Sequence, residues 1–210
     1  MIKLLIDTAS SRIILGLFQN EKILSEINEE NDNQLSVRIF PLIDKLFGLS
    51  EIKPEMVDEI IVVNGPGSFT GVRIGVTIAK TYAWALQKKI TIISELQMMA
   101  STKTSAKYRI AMIDARRNAV YAGIYDENLN SVLPDQYITL NQLQSEVKKL
   151  DGSYAYVSYQ KFPDIDVICP DVNLTMIIEK HQEDEGLNPH EVKPNYLKKT
   201  EAEEKLGKSC

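Results

Sequence analysis

The sequence predicts an α/β fold built from two similar halves, and three observations carry this prediction. A β-branched run, Ile60 to Val63, is typical of a strand that is buried on both faces. Gly65-Pro66-Gly67 ends that strand, and apolar residues at helical spacing follow up to Leu86. A hairpin pattern led by an aspartate occurs from Ile2 to Phe18 and again from Tyr108 to Tyr125.

Composition and charge narrow the function classes. Of the 210 residues, 44% are hydrophobic and 25% are charged, and no apolar run approaches the ~20 residues of a membrane span. The net charge of −5 argues against RNA binding by this chain alone, because phosphate contacts need a basic surface. Cys169 and Cys210 have neither metal-ligand nor disulfide spacing, and the first residues become polar too soon for a secretory signal. We therefore expect a cytoplasmic protein without a membrane span.

The first half is expected to begin with an antiparallel meander and a helix. Turns at residues 9–11 and 19–21 separate strands at 2–8, 12–18 and 22–27. Apolar residues at helical spacing then follow from Leu35 to Leu46, with Pro41 inside the helix. Further predicted elements are a helical turn at 54–58, a strand at 89–93 and a helix at 95–101.

The helix after the glycine-rich turn has an unusual surface. Ser68 or Thr70 supplies its N-cap oxygen. A stripe with almost no side chain recurs every four residues, at Gly71, Gly75, Ala79 and Ala83. Another backbone can come very close to such a stripe. Two alternatives stay open, because the stripe either meets a partner protein or packs on the first helix or sheet of its own chain.

The glycine-rich turn also suggests phosphate binding at a helix N-terminus. The segment from Gly65 to Gly71 lacks the Gly-Lys-Ser/Thr end of a P-loop, however, and Pro66 removes an N–H where a donor would help. A structural turn is therefore the favoured interpretation.

The second half repeats the opening hairpin of the first. Ile113-Asp114 followed by Gly123-Ile124-Tyr125 matches Ile6-Asp7 followed by Gly16-Leu17-Phe18. Beyond this hairpin we expect a helix at 139–150, strands at 154–158 and 167–169, a helix at 173–181 and an edge segment at 194–197. The charged residues from Lys198 onward predict a flexible tail.

Two halves that each open with an Asp-led hairpin resemble the actin-like ATPase fold, in which the hairpin turns face each other across a nucleotide cleft. The resemblance becomes specific in Asp7-Thr-Ala-Ser10, residues 64–80, Asp114-Ala-Arg-Arg-Asn-Ala-Val-Tyr121 and Pro194-Asn-Tyr-Leu197. With these segments the chain resembles the bacterial TsaB (YeaZ) family, which acts in making threonylcarbamoyladenosine in tRNA. The resemblance implies an N-terminal actin-like subdomain at 1–103, a C-terminal one at 104–197 and the tail at 198–210.

The resemblance also implies a non-catalytic subunit. In the family, the paralogue TsaD performs the transfer, TsaB binds TsaD as a heterodimer or forms a homodimer alone, and the ATPase TsaE joins the larger complex. tRNA would then be bound only through the complex. The first helix and the helix with the small-residue stripe are expected to form the partner interface, with Leu35, Ile39, Leu42, Leu46, Gly71, Val72, Arg73, Gly75, Val76, Ala79, Lys80, Tyr82 and Ala83.

A weak ATP-binding or ATPase function is the alternative. Actin-like phosphate loops have glycines beside the aspartate so that amide groups approach phosphate, whereas residues 7–12 and 114–118 contain none. We therefore expect Asp7 and Asp114 to stabilise their turns by accepting hydrogen bonds from nearby N–H groups. In the alternative, ATP or ADP lies at the partner interface, and Asp7, Thr8, Ser10 and Asp114 are the residues nearest to it.

A metallopeptidase function is disfavoured, although the wider family was long grouped with glycoproteases. A metal site needs ligands that converge on one point, whereas His181 and His190 are separated by a Gly-Leu-Asn-Pro break. TsaD carries a His pair on its counterpart of the first helix, and many TsaB sequences keep a His near its start. Here the helix begins Asn33-Gln-Leu-Ser36. We predict no metal and a surface position for both histidines.

Overall fold

The computed structural model describes residues 1–32 and 34–198 and contains two five-stranded mixed sheets. The strands of the first sheet are β1 (Ile2–Asp7), β2 (Arg12–Gln19), β3 (Lys22–Glu30), β4 (Glu59–Val63) and β5 (Ile90–Ile93). Those of the second sheet are β6 (Tyr108–Asp114), β7 (Ala119–Asp126), β8 (Ser131–Thr139), β9 (Tyr154–Val157) and β10 (Val167–Ile168). The α/β class and both predicted hairpins are confirmed.

The first sheet places the β-branched run beside its centre. Its strand order is β3-β2-β1-β4-β5, in which β1, β2 and β3 are antiparallel while β4 runs parallel to both β1 and β5. The segment Ile60 to Val63 is completely buried. Strands that are covered on both faces read as continuous apolar runs, which is why β4 was recognisable from sequence.

The second sheet repeats the strand order of the first. Its order is β10-β9-β6-β7-β8, so each strand takes the place of the strand five earlier in the chain. β8 is absent from the elements predicted from sequence. It is an edge strand that contains Pro134 and shifts register against β7 near Ala122 and Ile124. Proline and irregular pairing are tolerated at edges and bulges, and they hide the alternating pattern of a strand.

The helices are α1 (Leu35–Ser50), α2 (Phe69–Leu86), α3 (Glu95–Ala100), α4 (Leu140–Val147) and α5 (Leu174–Lys180), with a 3-10 turn at Pro54–Met56. Of the two predicted caps of α2, Ser68 is the observed one, because its hydroxyl oxygen accepts a hydrogen bond from Gly71 N at 3.2 Å.

Helices α1 and α2 cover the same face of the first sheet. Ile6 lies under α2, and its register partner on β2 is Leu15. Leu17, two residues along β2, shares that face and is opposite Ser25. The Ser25 hydroxyl in turn donates to the carbonyl of Leu46 on α1 at 2.9 Å. The two helices therefore form one outer layer.

Helix α3 links the two sheets. It packs against β6 and β7. Gln97 Nε2 donates to the carbonyl of Leu129 at 3.3 Å, and Gln97 Oε1 lies 2.8 Å from His181 Nε2. Just before the helix, Ser94 Oγ donates to the carboxylate of Asp135 on β8. Residues of α3 are therefore placed where both sheets approach each other.

The last described segment is irregular. The predicted edge segment 194–197 is not a strand, although Asn195 N donates to Asn64 O at 2.7 Å beside the end of β4. The predicted tail lies outside the described residues, except for Lys198. Among the helices within residues 1–32 and 34–198, none combines the length and apolar character that crossing a bilayer requires.

Candidate functional site

The two Asp-led turns have the same local geometry. The backbone N–H of Ala9 donates to Asp7 Oδ1 at 2.8 Å, and that of Arg116 donates to Asp114 Oδ1 at 2.8 Å. Each carboxylate bonds to an N–H two residues ahead, as in an Asx turn. The predicted turn-stabilising role of both aspartates is confirmed.

A cavity of about 430 Å³ lies between the two turns. Its walls come from the ends of both sheets and from the start of α2 and α3, with Ala9, Ser10, Ser11, Asn31, Gly67, Ser68, Glu95, Ile113, Asp114, Tyr121, Ser158, Tyr159 and Gln160. A larger groove, of about 600 Å³, lies beside β9 and β10 and contains none of the predicted site residues. The smaller cavity is the one that joins the two repeated hairpins.

Two buried carboxyl groups lie at the inner end of this cavity. Asp7 and Glu95 are almost completely inaccessible, and neither Asp7 Oδ2 nor either carboxyl oxygen of Glu95 receives a hydrogen bond from an N–H or hydroxyl donor. Burial raises the pKa of Asp7 to about 6, against the lowering effect of the Ala9 N–H and of Glu95. Burial and then the charge of Asp7 raise the pKa of Glu95 well above its ordinary value.

The physical reason for these shifts is that two adjacent carboxylates cannot both stay ionised in a dry interior. The two shifts favour a state in which Glu95 keeps its proton near neutral pH while Asp7 is the first of the pair to ionise. Burial and the nearby charges of Glu95 and Asp7 also raise the pKa of the Tyr159 hydroxyl. The inner end of the cavity therefore presents carboxyl groups to a ligand, where a phosphate site would present cations or N–H donors.

The four residues predicted to lie near a nucleotide occupy different environments. Ser10 and Asp114 line the cavity, whereas Asp7 lies beneath it. Thr8 is buried under α2, where its hydroxyl donates to Gly71 O at 2.7 Å. Thr8 is therefore committed to packing the helix on the sheet.

The small-residue stripe of α2 faces the chain's own first sheet. A Cβ added to Gly75 would lie 2.5 Å from Thr8 Oγ1 and 3.9 Å from Ile6 Cγ2, and Ala79 and Ala83 are completely buried. Gly71 approaches the backbone of β1 still more closely. Of the two alternatives left open by the sequence, packing on the sheet is the observed one, because α2 must come close to β1.

The other predicted interface residues divide into buried and accessible groups. Those buried within the chain are Leu35, Ile39, Leu42, Leu46, Val72 and Val76. The chain's own core covers these side chains and the stripe, and the partner interface predicted for them stays a prediction. Arg73 is exposed, and Lys80 and Tyr82 are half-buried, with Lys80 Nζ donating to Val192 O at 3.0 Å.

The outer side of the α1–α2 layer carries large apolar side chains that the interface prediction did not include. Val37 and Phe40 on α1 and Phe69 and Trp84 on α2 are all more than half exposed. Exposed apolar residues on neighbouring helices are the composition expected of a contact surface. We call these four residues the outer apolar face.

The histidines show no common site. His190 is exposed, and His181 is partly accessible, with 12% of its side chain exposed and bonds to Gln97 and Asp184. Within the described ranges 1–32 and 34–198, no group of three or more His, Cys, Asp or Glu residues is arranged to hold a metal ion.

Comparison with known proteins supplies the family. The chain is 34% identical over 160 residues to "tRNA threonylcarbamoyladenosine biosynthesis protein TsaB" of Bacillus subtilis, an alignment that covers 74% of this chain and 70% of the relative. The chain belongs to the TsaB family. The TsaB protein of Haemophilus influenzae is 29% identical, with 93% of this chain and 92% of the relative covered. A family model described as "TsaD: tRNA N6-adenosine threonylcarbamoyltransferase" matches residues 22–174.

Solved structures agree on the fold. A solved structure titled "YeaZ from Pseudomonas aeruginosa" superposes with a TM-score of 0.77 at 23% identity, and the match covers 93% of this chain and 99% of that one. A second, titled as an uncharacterized protein with similarity to peptidase YEAZ from Pseudomonas aeruginosa, has a TM-score of 0.78 at 22% identity and covers 94% and 99%. The actin-like topology expected for the TsaB family therefore fits the two mixed sheets.

Glu95 is the residue of this site that the sequence did not reveal. An acidic residue in the first turn of a helix is ordinary, since it favours the helix dipole. Nothing local distinguishes Glu95 from a solvent-exposed N-terminal acid, and only the tertiary fold brings it to Asp7, 88 positions earlier. Asp7 could be singled out because its hairpin is repeated in the second half, whereas no repeated motif in the sequence marks α3.

Proposed function

We propose that the chain is a non-catalytic subunit in the biosynthesis of threonylcarbamoyladenosine in tRNA, and that it acts by binding a TsaD-type paralogue. The observation that carries the non-catalytic part is the buried Asp7–Glu95 pair between the two hairpin turns. A phosphate site needs free N–H donors or cations. Here the nearest buried groups are two acids, and the Ala9 N–H is already bonded to Asp7.

The second turn is also unsuited to holding phosphate. Arg116, Arg117 and Asn118 all have positive φ, and each carries a side chain where phosphate loops use glycine. The N–H of Arg116 bonds to Asp114, and that of Ala119 donates to Arg116 O at 3.1 Å. Few amide donors therefore remain for a ligand on this side of the cavity.

The partner part of the proposal rests on the outer apolar face. The family model that matches residues 22–174 spans both α1 and α2, so a TsaD-type paralogue carries counterparts of the same two helices. Two chains with equivalent surfaces associate through related patches, as in an isologous dimer. We assign Val37, Phe40, Phe69 and Trp84 to that contact, with Arg73, Lys80 and Tyr82 beside them, and expect a homodimer through the same face when the paralogue is absent.

Further parts of the proposal follow from this role. The repeated strand order supports two similar subdomains, at 1–103 and 104–197. A TsaE-type ATPase would join the larger complex, and any ATP or ADP would lie at the joint between the paralogues. The net charge of −5 supports tRNA binding through the complex rather than by this chain. The absence of disulfide spacing between Cys169 and Cys210 supports the cytoplasm as its location.

The experiment mixes the purified chain with its TsaD-type paralogue and measures molar mass by light scattering. We expect a heterodimer with the wild-type chain. Phe40→Asp places a charge on the outer apolar face and should weaken association at least tenfold, about 1.4 kcal/mol, without a change in melting temperature. Val132→Asp is the matched control, because Val132 is a similarly exposed apolar residue on β8. Failure of the wild-type proteins to associate, with ATP hydrolysis by this chain alone, would favour the ATPase alternative.

A further inference from the structure

Arg73 is held in one orientation at the accessible start of α2. Its Nε donates to the Tyr196 hydroxyl at 2.7 Å, and its guanidinium carbon lies 3.8 Å from the centre of the Phe69 ring. The Phe69 and Tyr196 rings stack with centroids 5.5 Å apart and an interplanar angle of 26°. Arginine stacked on aromatic rings loses much of its rotational freedom before any ligand arrives.

Tyr196, the third member of this cluster, is held in place by the backbone of the residues just before it. Asn195, the residue before Tyr196, donates its N–H to Asn64 O at 2.7 Å, and Asn64 Nδ2 donates to Lys193 O at 3.1 Å. Both contacts join the segment to the end of β4. Tyr196 is therefore positioned by the sheet and in turn positions Arg73.

The two terminal nitrogens of Arg73 have no hydrogen bond or ion pair within residues 1–32 and 34–198. Arg12 and Arg38 differ, because Arg12 bonds to Asn28 and Arg38 forms ion pairs with Glu29 and Asp32. Phe69 is 56% exposed and Tyr196 is 46% exposed, so the cluster faces solvent. An oriented guanidinium with both terminal nitrogens free matches the geometry of a carboxylate.

We propose that Arg73 is the anchor of the partner contact and binds a carboxylate side chain of the TsaD-type paralogue, with Tyr196 as its positioning residue. This inference rests on the proposed function. Arginine and tyrosine are enriched among the residues that dominate binding energy, and preorganisation lowers the entropic cost of using them.

A protein carboxylate fits this site better than the phosphates of RNA. Nucleic-acid binding needs several cations together, whereas the nearby Lys80 already donates to Val192 O and the chain is acidic overall. One oriented guanidinium group beside an aromatic ring is suited to bind one acidic side chain within an otherwise apolar interface.

The test measures affinity for the purified paralogue by isothermal titration calorimetry at several salt concentrations. We expect Arg73→Ala to weaken binding at least tenfold and to flatten its salt dependence, while the melting temperature stays unchanged. Arg73→Lys keeps the charge without the fork, and Tyr196→Phe keeps the stacking without the hydroxyl; both should lie between the wild type and Arg73→Ala. Lys161→Ala, an exposed cation in the second half, is the charge-matched control and should bind like wild type.

The outcomes separate this inference from the proposed function. Absence of a complex with the wild-type chain would overturn the proposed function and this inference with it. A normal complex whose affinity and salt dependence are the same for Arg73→Ala would overturn the inference alone. A third arm titrates ATP and a tRNA transcript into the chain, and loss of either binding in Arg73→Ala with unchanged affinity for the paralogue would also overturn it in favour of phosphate recognition.

Discussion

Asp7→Asn is expected to change how the stability of this protein depends on pH. The substitution removes a buried acid while keeping its shape, so the amide oxygen still accepts the hydrogen bond from Ala9 N. The new amide group faces Glu95 and has a donor for it. Because Asp7 is completely buried, the substitution acts on the protein interior and not on surface charge.

The magnitude follows from the pKa of Asp7, which is raised from 3.8 to about 6 in the folded chain. At about 1.4 kcal/mol per pKa unit, this rise corresponds to about 3 kcal/mol. The folded state holds this proton more tightly than the unfolded chain does. The contribution is therefore present below about pH 4 and is lost as the pH rises to about 6. In Asp7→Asn nothing is lost over this interval, so the stability difference between the two proteins should shift by about 3 kcal/mol in favour of the variant between about pH 4 and pH 7.

The assay is thermal or urea unfolding of both proteins from about pH 4 to pH 8. The quantity to compare is the difference between variant and wild type at each pH, since the carboxyl groups other than Glu95, whose pKa the charge of Asp7 raises, titrate in both proteins. For a chain of this size about 3 kcal/mol corresponds to roughly 6–12 °C in melting temperature. Asp114→Asn is the matched control, because Asp114 makes the same turn at an exposed position. Parallel curves for wild type and Asp7→Asn across this range would refute the buried acid pair.

Two further predictions concern packing and catalysis. Gly75→Ala should lower stability by about 1–3 kcal/mol in unfolding experiments, because the new methyl group meets Thr8 Oγ1; Gly48→Ala, with open space around it on α1, should be neutral or slightly stabilising. A Gly75→Ala chain as stable as wild type would contradict the close approach of α2 to β1. The purified chain should neither hydrolyse ATP nor cleave protein above background. Turnover that Asp7→Ala abolishes while circular dichroism shows an intact fold would disprove the non-catalytic role.

Local patterns were sufficient for most elements of the fold. The continuous apolar run of β4, the Ser68 cap of α2 and the two Asp-led turns each depend on neighbouring residues, so sequence reasoning recovered them. β8 escaped prediction because an edge strand interrupted by Pro134 has no regular alternation. The edge segment expected at 194–197 is a set of backbone contacts to Asn64 and not a strand.

The sequence did not determine what packs against each face of a helix. The periodicity of α2 shows that Gly71, Gly75, Ala79 and Ala83 share one side, but it does not say whether a sheet or another protein lies there. The fold settled this point, because β1 passes directly beneath the helix and leaves room only for small residues. The apolar residues left outside, such as Phe40 and Trp84, could be separated from core residues only after the core was assembled.

The sequence by itself determined most of the strands and helices and how the first hairpin is repeated, because those properties depend on residues a few positions apart. Tertiary structure alone decided which polar groups meet. Glu95 reaches Asp7 through the packing of α3 between the sheets, and Tyr196 reaches Arg73 across 123 positions of the chain. Contacts between distant residues depend on how whole elements pack, and no local spacing encodes them.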